Sequence, residues 1–283
     1  MEKHHLHEIS SMIKKVTISN VLFASILIFA LTLNVNSLHG QSGPEYVFTS
    51  DNIDPERIKN LESLVDQMNS KGYDLKTLME DPRFELYDGM TDRFTKSAER
   101  KTPSLDEYKV ILGYDVKKQN IRNFIEENRK QLDQAEKEYD IPKYVIAAII
   151  GVESDFGKNT GSFNPLNAYV SMIAENYRAE FATAQLEELL KFTSEREMDV
   201  FDLNSSYAGA MTYAQFIPYS LNRWWVGNDL TSMENNILSV ANYLAHFKNI
   251  TGSVERAVYR YNPSQLYTNA VLSLASDAEE MFE

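Results

Sequence analysis

Residues Tyr144–Gly157 read YVIAAIIGVESDFG. Val145, Ile146, Ala147, Ala148, Ile149, Ile150 and Val152 run almost without a polar break. A helix that is apolar on every side is a buried helix. Pro142 suits its first turn, where no intrahelical N–H bond is needed. The run falls short of the roughly 20 apolar residues that span a bilayer, so it predicts the central helix of a globular core. One acid, Glu153, is set into its C-terminal end. A carboxyl there loses hydration, which disfavours its charged form and raises its pKa. That is how a carboxyl is kept protonated near neutral pH to act as a general acid. The ordinary structural alternative is an acid at the edge of the core that caps a turn or pairs with a base.

The flanks extend the helical pattern. Ile121, Phe124, Ile125, Leu132, Ala135 and Tyr139 recur at helical spacing and predict one helix that Pro142 closes. Asp54-Pro55-Glu56 starts an earlier helix with cap, proline and acid in the first turn, and Gly72 ends it. Residues 92–107 are polar and carry Arg93, Lys96, Arg100 and Lys101. They read as a solvated loop, with contact to an anionic substrate as the minority reading. The GKNTGSFNPLNA stretch after the acid reads as loop. Helices follow from Tyr177 to about Glu197, around Ile237–Phe247 and around Tyr267–Met281. No alternating strand run, internal repeat or low-complexity tract is present, so the fold reads as all-α.

Composition narrows the chemistry. The chain has 283 residues, 43% of them hydrophobic, enough for a real core. Its net charge of -13 argues against a nucleic-acid partner, which needs a basic face. Without cysteine there is no disulfide, thiolate site, cysteine nucleophile or lipoprotein anchor. Lys14 and Lys15 precede the apolar run Val21–Leu33, and a small, polar exit follows. This matches a secretory signal peptide over 1–40, cleaved near Gly40–Gln41. The rival reading is an uncleaved anchor, the chain's single route to a membrane, but the apolar part is short for it. The protein is read as exported, to a periplasm where the host has one. His4, His5, His7 and His39 leave with that segment, and His246 alone cannot build a multi-histidine metal site. No nucleophile-elbow motif supports a triad on it.

A second constellation lies at Ser205–Ser220, SSYAGAMTYAQFIPYS. Ala208, Gly209 and Ala210 permit close approach of a backbone or ligand. Tyr207, Tyr213, Phe216 and Tyr219 supply rings, and Gln215 an amide with two donors and an acceptor. Rings for stacking and amides for hydroxyls are what a sugar site requires. The structural alternative is a tightly packed helix start with core aromatics. Near the end, Tyr261-Asn262 precedes the last helix, where asparagine is often only a cap.

Taken in order, IIGVESDFGKNTG, SYAGAMTYAQFIPYS, SVANYL and YNPSQLY resemble the membrane-bound lytic murein transglycosylase B type of peptidoglycan lyase. This is glycoside hydrolase family 103 of the lysozyme-like superfamily. The resemblance is strong from about Tyr108 to Leu274. It implies a lysozyme-like helical domain without a substantial β-region: an N-terminal helical region and basic loop over 41–107, and a catalytic core over 108–283. It implies an enzyme that cleaves the MurNAc–GlcNAc β-1,4 bond of peptidoglycan glycan strands. Glu153 would be the single acid/base that closes a 1,6-anhydro ring, an exception to the two-carboxylate rule. Ser206, Gln215, Phe216, Tyr243, Tyr261, Asn262 and Tyr267 fall on positions that line the family's glycan groove. Gln215 and Asn262 would meet sugar amides and hydroxyls; the rings would stack on sugars or support Glu153. Asp155 reads as a cap or surface acid.

Three departures stand out. Thr212 occupies the place of the family's usual glycine after SYAGAM. Gly227–Asn236 lacks the spacing of the acidic calcium loop that many members carry, so no metal and no cofactor is expected. The interval from about Ala245 to Arg260 is also short, which implies a trimmed enzyme with an open groove. The alternatives are a hydrolytic muramidase and a catalytically weak peptidoglycan-binding or scaffold protein. The sequence names no protein partner.

Overall fold

The computed structural model describes residues 54–98 and 103–283. The leader expected over 1–40 lies outside the described residues. Among those described, no helix is long and apolar enough to cross a membrane.

The chain runs through helices α1 (Pro55–Ser70), α2 (Leu75–Met79), α3 (Met90–Ala98), α4 (Leu105–Ile111), α5 (Tyr114–Glu127) and α6 (Arg129–Tyr139). It continues through α7 (Lys143–Ser154), α8 (Pro165–Ala174) and α9 (Ala179–Glu195), then a 3-10 turn at Val200–Asp202. The last four are α10 (Pro218–Trp224), α11 (Met233–Thr251), α12 (Val254–Tyr261) and α13 (Gln265–Glu280). Extended pairing among the described residues is limited to isolated bridges, Phe163 with Ser205, Ser205 with Met211, and Met211 with Phe216. The fold is therefore all-α.

Helix α7 is the centre. Every residue from Val145 to Ser154 is buried, and α5, α6, α11 and α13 pack against it. Its N-terminus lacks a cap of its own, and Glu136 of α6 accepts a hydrogen bond from Lys143 N at 3.0 Å. An anion at a helix N-terminus satisfies an orphan donor and complements the dipole. The helix ends where Asp155, Phe156 and Gly157 all take left-handed backbone, at φ 50°, 60° and 88°.

Several sequence expectations change. The predicted polar loop at 92–107 is helical through Ala98 and again from Leu105, where Ser104 and Glu107 form a reciprocal capping box. Phe94 within it is buried and stacks on Tyr177. The single helix expected over 121–139 breaks at Asn128, whose side-chain amide donates to Phe124 O at 2.9 Å. A side chain that bonds nearby backbone competes with the helical ladder. The stretch read as loop after Gly157 gives way at Pro165 to α8, capped by the Asn164 side chain. Ser205–Ser220 is not a helix start. Paired hydrogen bonds between Phe163 and Ser205 and between Met211 and Phe216 fold its first part into a tight frame, and only Pro218 begins a helix. Ser264, not Asn262, caps the last helix.

Candidate active site

Glu153 sits in the last turn of α7 and is 4% exposed. One oxygen, Oε1, accepts a hydrogen bond from the Tyr267 hydroxyl at 2.7 Å. The other, Oε2, is buried with no hydrogen-bond partner in the protein. Desolvation pushes this carboxyl up to about 8, against the opposing pull of the Tyr267 hydrogen bond and the Lys117 charge. The group is thus mostly protonated at neutral pH, and its unpartnered oxygen is the one able to give a proton to a ligand.

Four helices bring polar groups to this acid. Tyr267 comes from α13 and is fully buried; burial and the adjacent Glu153 push its phenol well above the ordinary range. Tyr261 closes α12, and its hydroxyl donates to Ala214 O at 2.6 Å. It thereby ties the acid's surroundings to the Ser205–Phe216 frame. Tyr108 of α4 is buried, its hydroxyl has no partner in the protein, and burial, then Glu153, raise its pKa. Lys117 of α5 is buried too, 3.5 Å from Asp155 Oδ1. Burial lowers its pKa and Asp155 opposes that.

The other sequence candidates take distinct places. Gln215 is buried at φ 51°, and its side-chain amide donates to Thr212 O at 3.1 Å. Ser206 Oγ accepts from Ala210 N at 3.2 Å and so braces the same frame. Asn262 is fully buried, and neither end of its amide has a partner in the protein. A buried amide without partners is costly and signals a ligand or water that completes it. Phe216, Tyr243 and Tyr261 turn their rings on one another, with centroids 4.9–5.8 Å apart. Each is at most 7% exposed, so they form a supporting wall and present little free face. Tyr243 is further fixed by its hydroxyl on Arg260 O at 2.7 Å. Part-exposed rings lie beyond them: Trp224 at 4.8 Å from Tyr243, and Trp225 at 6.5 Å from Phe216.

Sequence reasoning missed Tyr108 and Lys117. Lys117 left a signal, since it stands four residues before Ile121 on the apolar face of α5. The small residues at 208–210 admit a protein ring: a Cβ on Gly209 would lie 2.2 Å from Tyr169, whose hydroxyl donates to Gly209 O. Thr212, where the resemblance leads one to expect glycine, has φ 68°, the backbone region that favours glycine. Two clefts of about 400 and 520 Å³ border α1 near α8 and α9, and no residue of this cluster lines either.

Comparison with known proteins then decides the kinship. Residues 55–254 match the family described as the transglycosylase SLT domain. The chain belongs to this family. A stretch of 135 residues, 44% of the chain, is 34% identical to membrane-bound lytic murein transglycosylase B of Escherichia coli strain K12. That match spans 37% of the relative's length. Among solved structures, soluble lytic transglycosylase SltB1 from Pseudomonas aeruginosa superposes with a TM-score of 0.71 at 24% identity, covering 79% of this chain and 99% of that one. SltB3 from the same organism, in complex with NAG-NAM-pentapeptide, gives 0.69 at 19% identity, with 80% of each chain covered. Escherichia coli Slt35 in complex with bulgecin A gives 0.67 at 20% identity, covering 80% of this chain and 93% of that one. At 19–24% identity these structures show the fold: the chain has the fold of these lytic transglycosylases.

Proposed function

We propose that this chain is an exported peptidoglycan lytic transglycosylase that cleaves the MurNAc–GlcNAc β-1,4 bond, with Glu153 as its single acid/base. The observation that carries the reading is the buried, mostly protonated carboxyl whose Oε2 has no partner in the protein. In the proposed reaction, Glu153 gives its proton to the glycosidic oxygen as the bond to the muramyl C1 breaks. The carboxylate so formed takes the proton of the muramyl 6-hydroxyl, whose oxygen bonds to C1. The 1,6-anhydro ring closes, water is neither consumed nor released, and the acid regains its proton.

Tyr267 keeps Oε1 occupied and leaves Oε2 for the substrate. Asn262, Gln215 and Ser206 are assigned to the glycan, the first through its unpartnered amide. Phe216, Tyr243 and Tyr261 are assigned to the wall behind it. SltB3 binds NAG-NAM-pentapeptide, and we extend that ligand class to this chain. We propose that a leader over 1–40 delivers the protein to the cell envelope.

Mass spectrometry of muropeptides released from purified sacculi by residues 41–283 tests the reading. Ends lighter by one water than hydrolytic products are expected. Reducing ends instead would make the protein a muramidase. Bound sacculi with no products would make it a binding protein. Retained cleavage in Glu153→Gln would remove the acid from its role.

A further inference from the structure

The turn that follows Glu153 is held from outside its own helix. Asp155 and Phe156 both stand in the left-handed region, at φ 50° and 60°. Non-glycine residues persist there only where neighbours over-determine them. Both neighbours are on α5. Lys117 Nζ lies 3.5 Å from Asp155 Oδ1, and the Phe124 ring lies 5.0 Å from that of Phe156. Gly151 completes the fit, since a Cβ there would lie 2.6 Å from the Phe156 ring. The turn is closed by backbone bonds from Asp155 N to Gly151 O at 3.1 Å and from Asn159 N to Ser154 O at 2.8 Å.

Lys117 is the unusual member of this grip. It is 7% exposed on an otherwise apolar helix face, and its buried ammonium is costly unless paired. Lys158, the other cation near Asp155, is 3.8 Å away with a 60% exposed side chain, so water weakens its hold. We propose that Lys117 is a positioning residue for Glu153: through the half-buried ion pair with Asp155, α5 locks the exit turn of α7 and so fixes where the Glu153 carboxyl points. The charge also reaches the acid directly, favouring its ionised form. The groups that share this environment are Tyr108 from α4, Tyr261 from α12, Tyr267 from α13 and Asp155 itself.

The inference rests on the reading of Glu153 as the acid, and the test separates the two. The Glu153 carboxyl carbon is titrated by NMR in the mature wild-type protein, in Lys117→Met and in Asp155→Asn, with Glu153→Gln identifying the signal. Muropeptide release is measured in parallel. Removing the cation disfavours the carboxylate, so K117M moves the midpoint up. Removing the Asp155 charge leaves the ammonium unneutralised, so D155N moves it down. K117M lowers kcat about tenfold with KM unchanged, as a small misplacement of a reacting group does, and Lys117→Arg restores it. The opposite shifts read the two charges at the acid; the kcat loss at unchanged KM, with its rescue by arginine, reads the positioning. Unmoved midpoints, or shifts of the same sign in both variants, overturn the positioning role. Asn tolerates left-handed backbone, so D155N carries the titration test where K117M does not fold. An active E153Q sinks the acid assignment alone, since the titration does not depend on turnover.

Discussion

At the scale of single residues, the burial of Glu153, the proposed acid, makes stability depend on pH. Its carboxyl titrates near 8 in the fold, against 4.5 for an ordinary glutamate, because burial favours the neutral form. Between those values the folded protein holds a proton that the unfolded chain releases. Stability from this group is therefore complete below about pH 4.5 and is lost as pH rises through about 8. Glu153→Gln keeps an acceptor for Tyr267 and abolishes the titration. Its melting temperature should match that of wild type near pH 5 and exceed it at pH 8.5, where the stability difference is on the order of a few kcal/mol. Parallel pH curves for the two proteins would contradict this. Thr212 is the second case. Its left-handed backbone costs a side-chain residue roughly 1–2 kcal/mol, and glycine gives back about 0.5–1 kcal/mol of that in chain entropy. Its hydroxyl is dispensable, because Ala214 N also donates to Asn236 Oδ1 at 3.0 Å. Thr212→Gly is thus expected to stabilise by up to about 1 kcal/mol in urea denaturation; a loss would show that Oγ1 matters more than the backbone.

At the scale of elements, one carboxylate pins the N-terminal helices to the core. Glu175, at the C-terminus of α8, accepts from Gly89 N, Met90 N and Thr91 N at 2.7–3.3 Å, where α3 begins. Arg57 of α1 adds a 2.8 Å ion pair to the same group. Hydrogen bonds to a charged group are among the stronger ones, and here removal leaves several donors without a partner. Glu175→Ala should cost about 2–3 kcal/mol and speed hydrogen exchange in α3 ahead of α7. Uniform exchange across the molecule would mean that α3 is held by its apolar face alone. Elements also show what patterns conceal. Helix α8 is buried at all ten positions, so it has no polar face and no helical period to read. Although read as loop, its start was legible in principle, for Asn164-Pro165 repeats the Asp54-Pro55 signature of cap and proline. The break at Asn128 was not, because the apolar period runs through it unchanged.

At the scale of the whole molecule, charge sets the encounter with substrate. The chain carries a net charge of -13, and peptidoglycan is itself anionic through its peptides. Under the proposed function, like charges slow association, and salt screens them over about 10 Å at 0.1 M. Turnover of sacculi at limiting substrate should rise between about 10 and 150 mM salt; a fall would reveal an attractive patch that outweighs the net charge. The two constellations around Glu153 and Ser205–Ser220 come together because α7, α12 and α13 pack around one core, and Tyr261 reaches from the acid's neighbourhood to Ala214. By itself the sequence determined an all-helical fold, a central helix too apolar to lie at the surface, and the one acid that this helix buries. Those follow from local composition and period, which are written residue by residue. Only the tertiary structure decided that Tyr267 holds Oε1 and leaves Oε2 free, that Tyr108 and Lys117 join the site, and that the predicted stacking rings mostly face one another. Those depend on contacts between residues far apart in the chain, and no local pattern encodes which buried polar group a distant helix will meet.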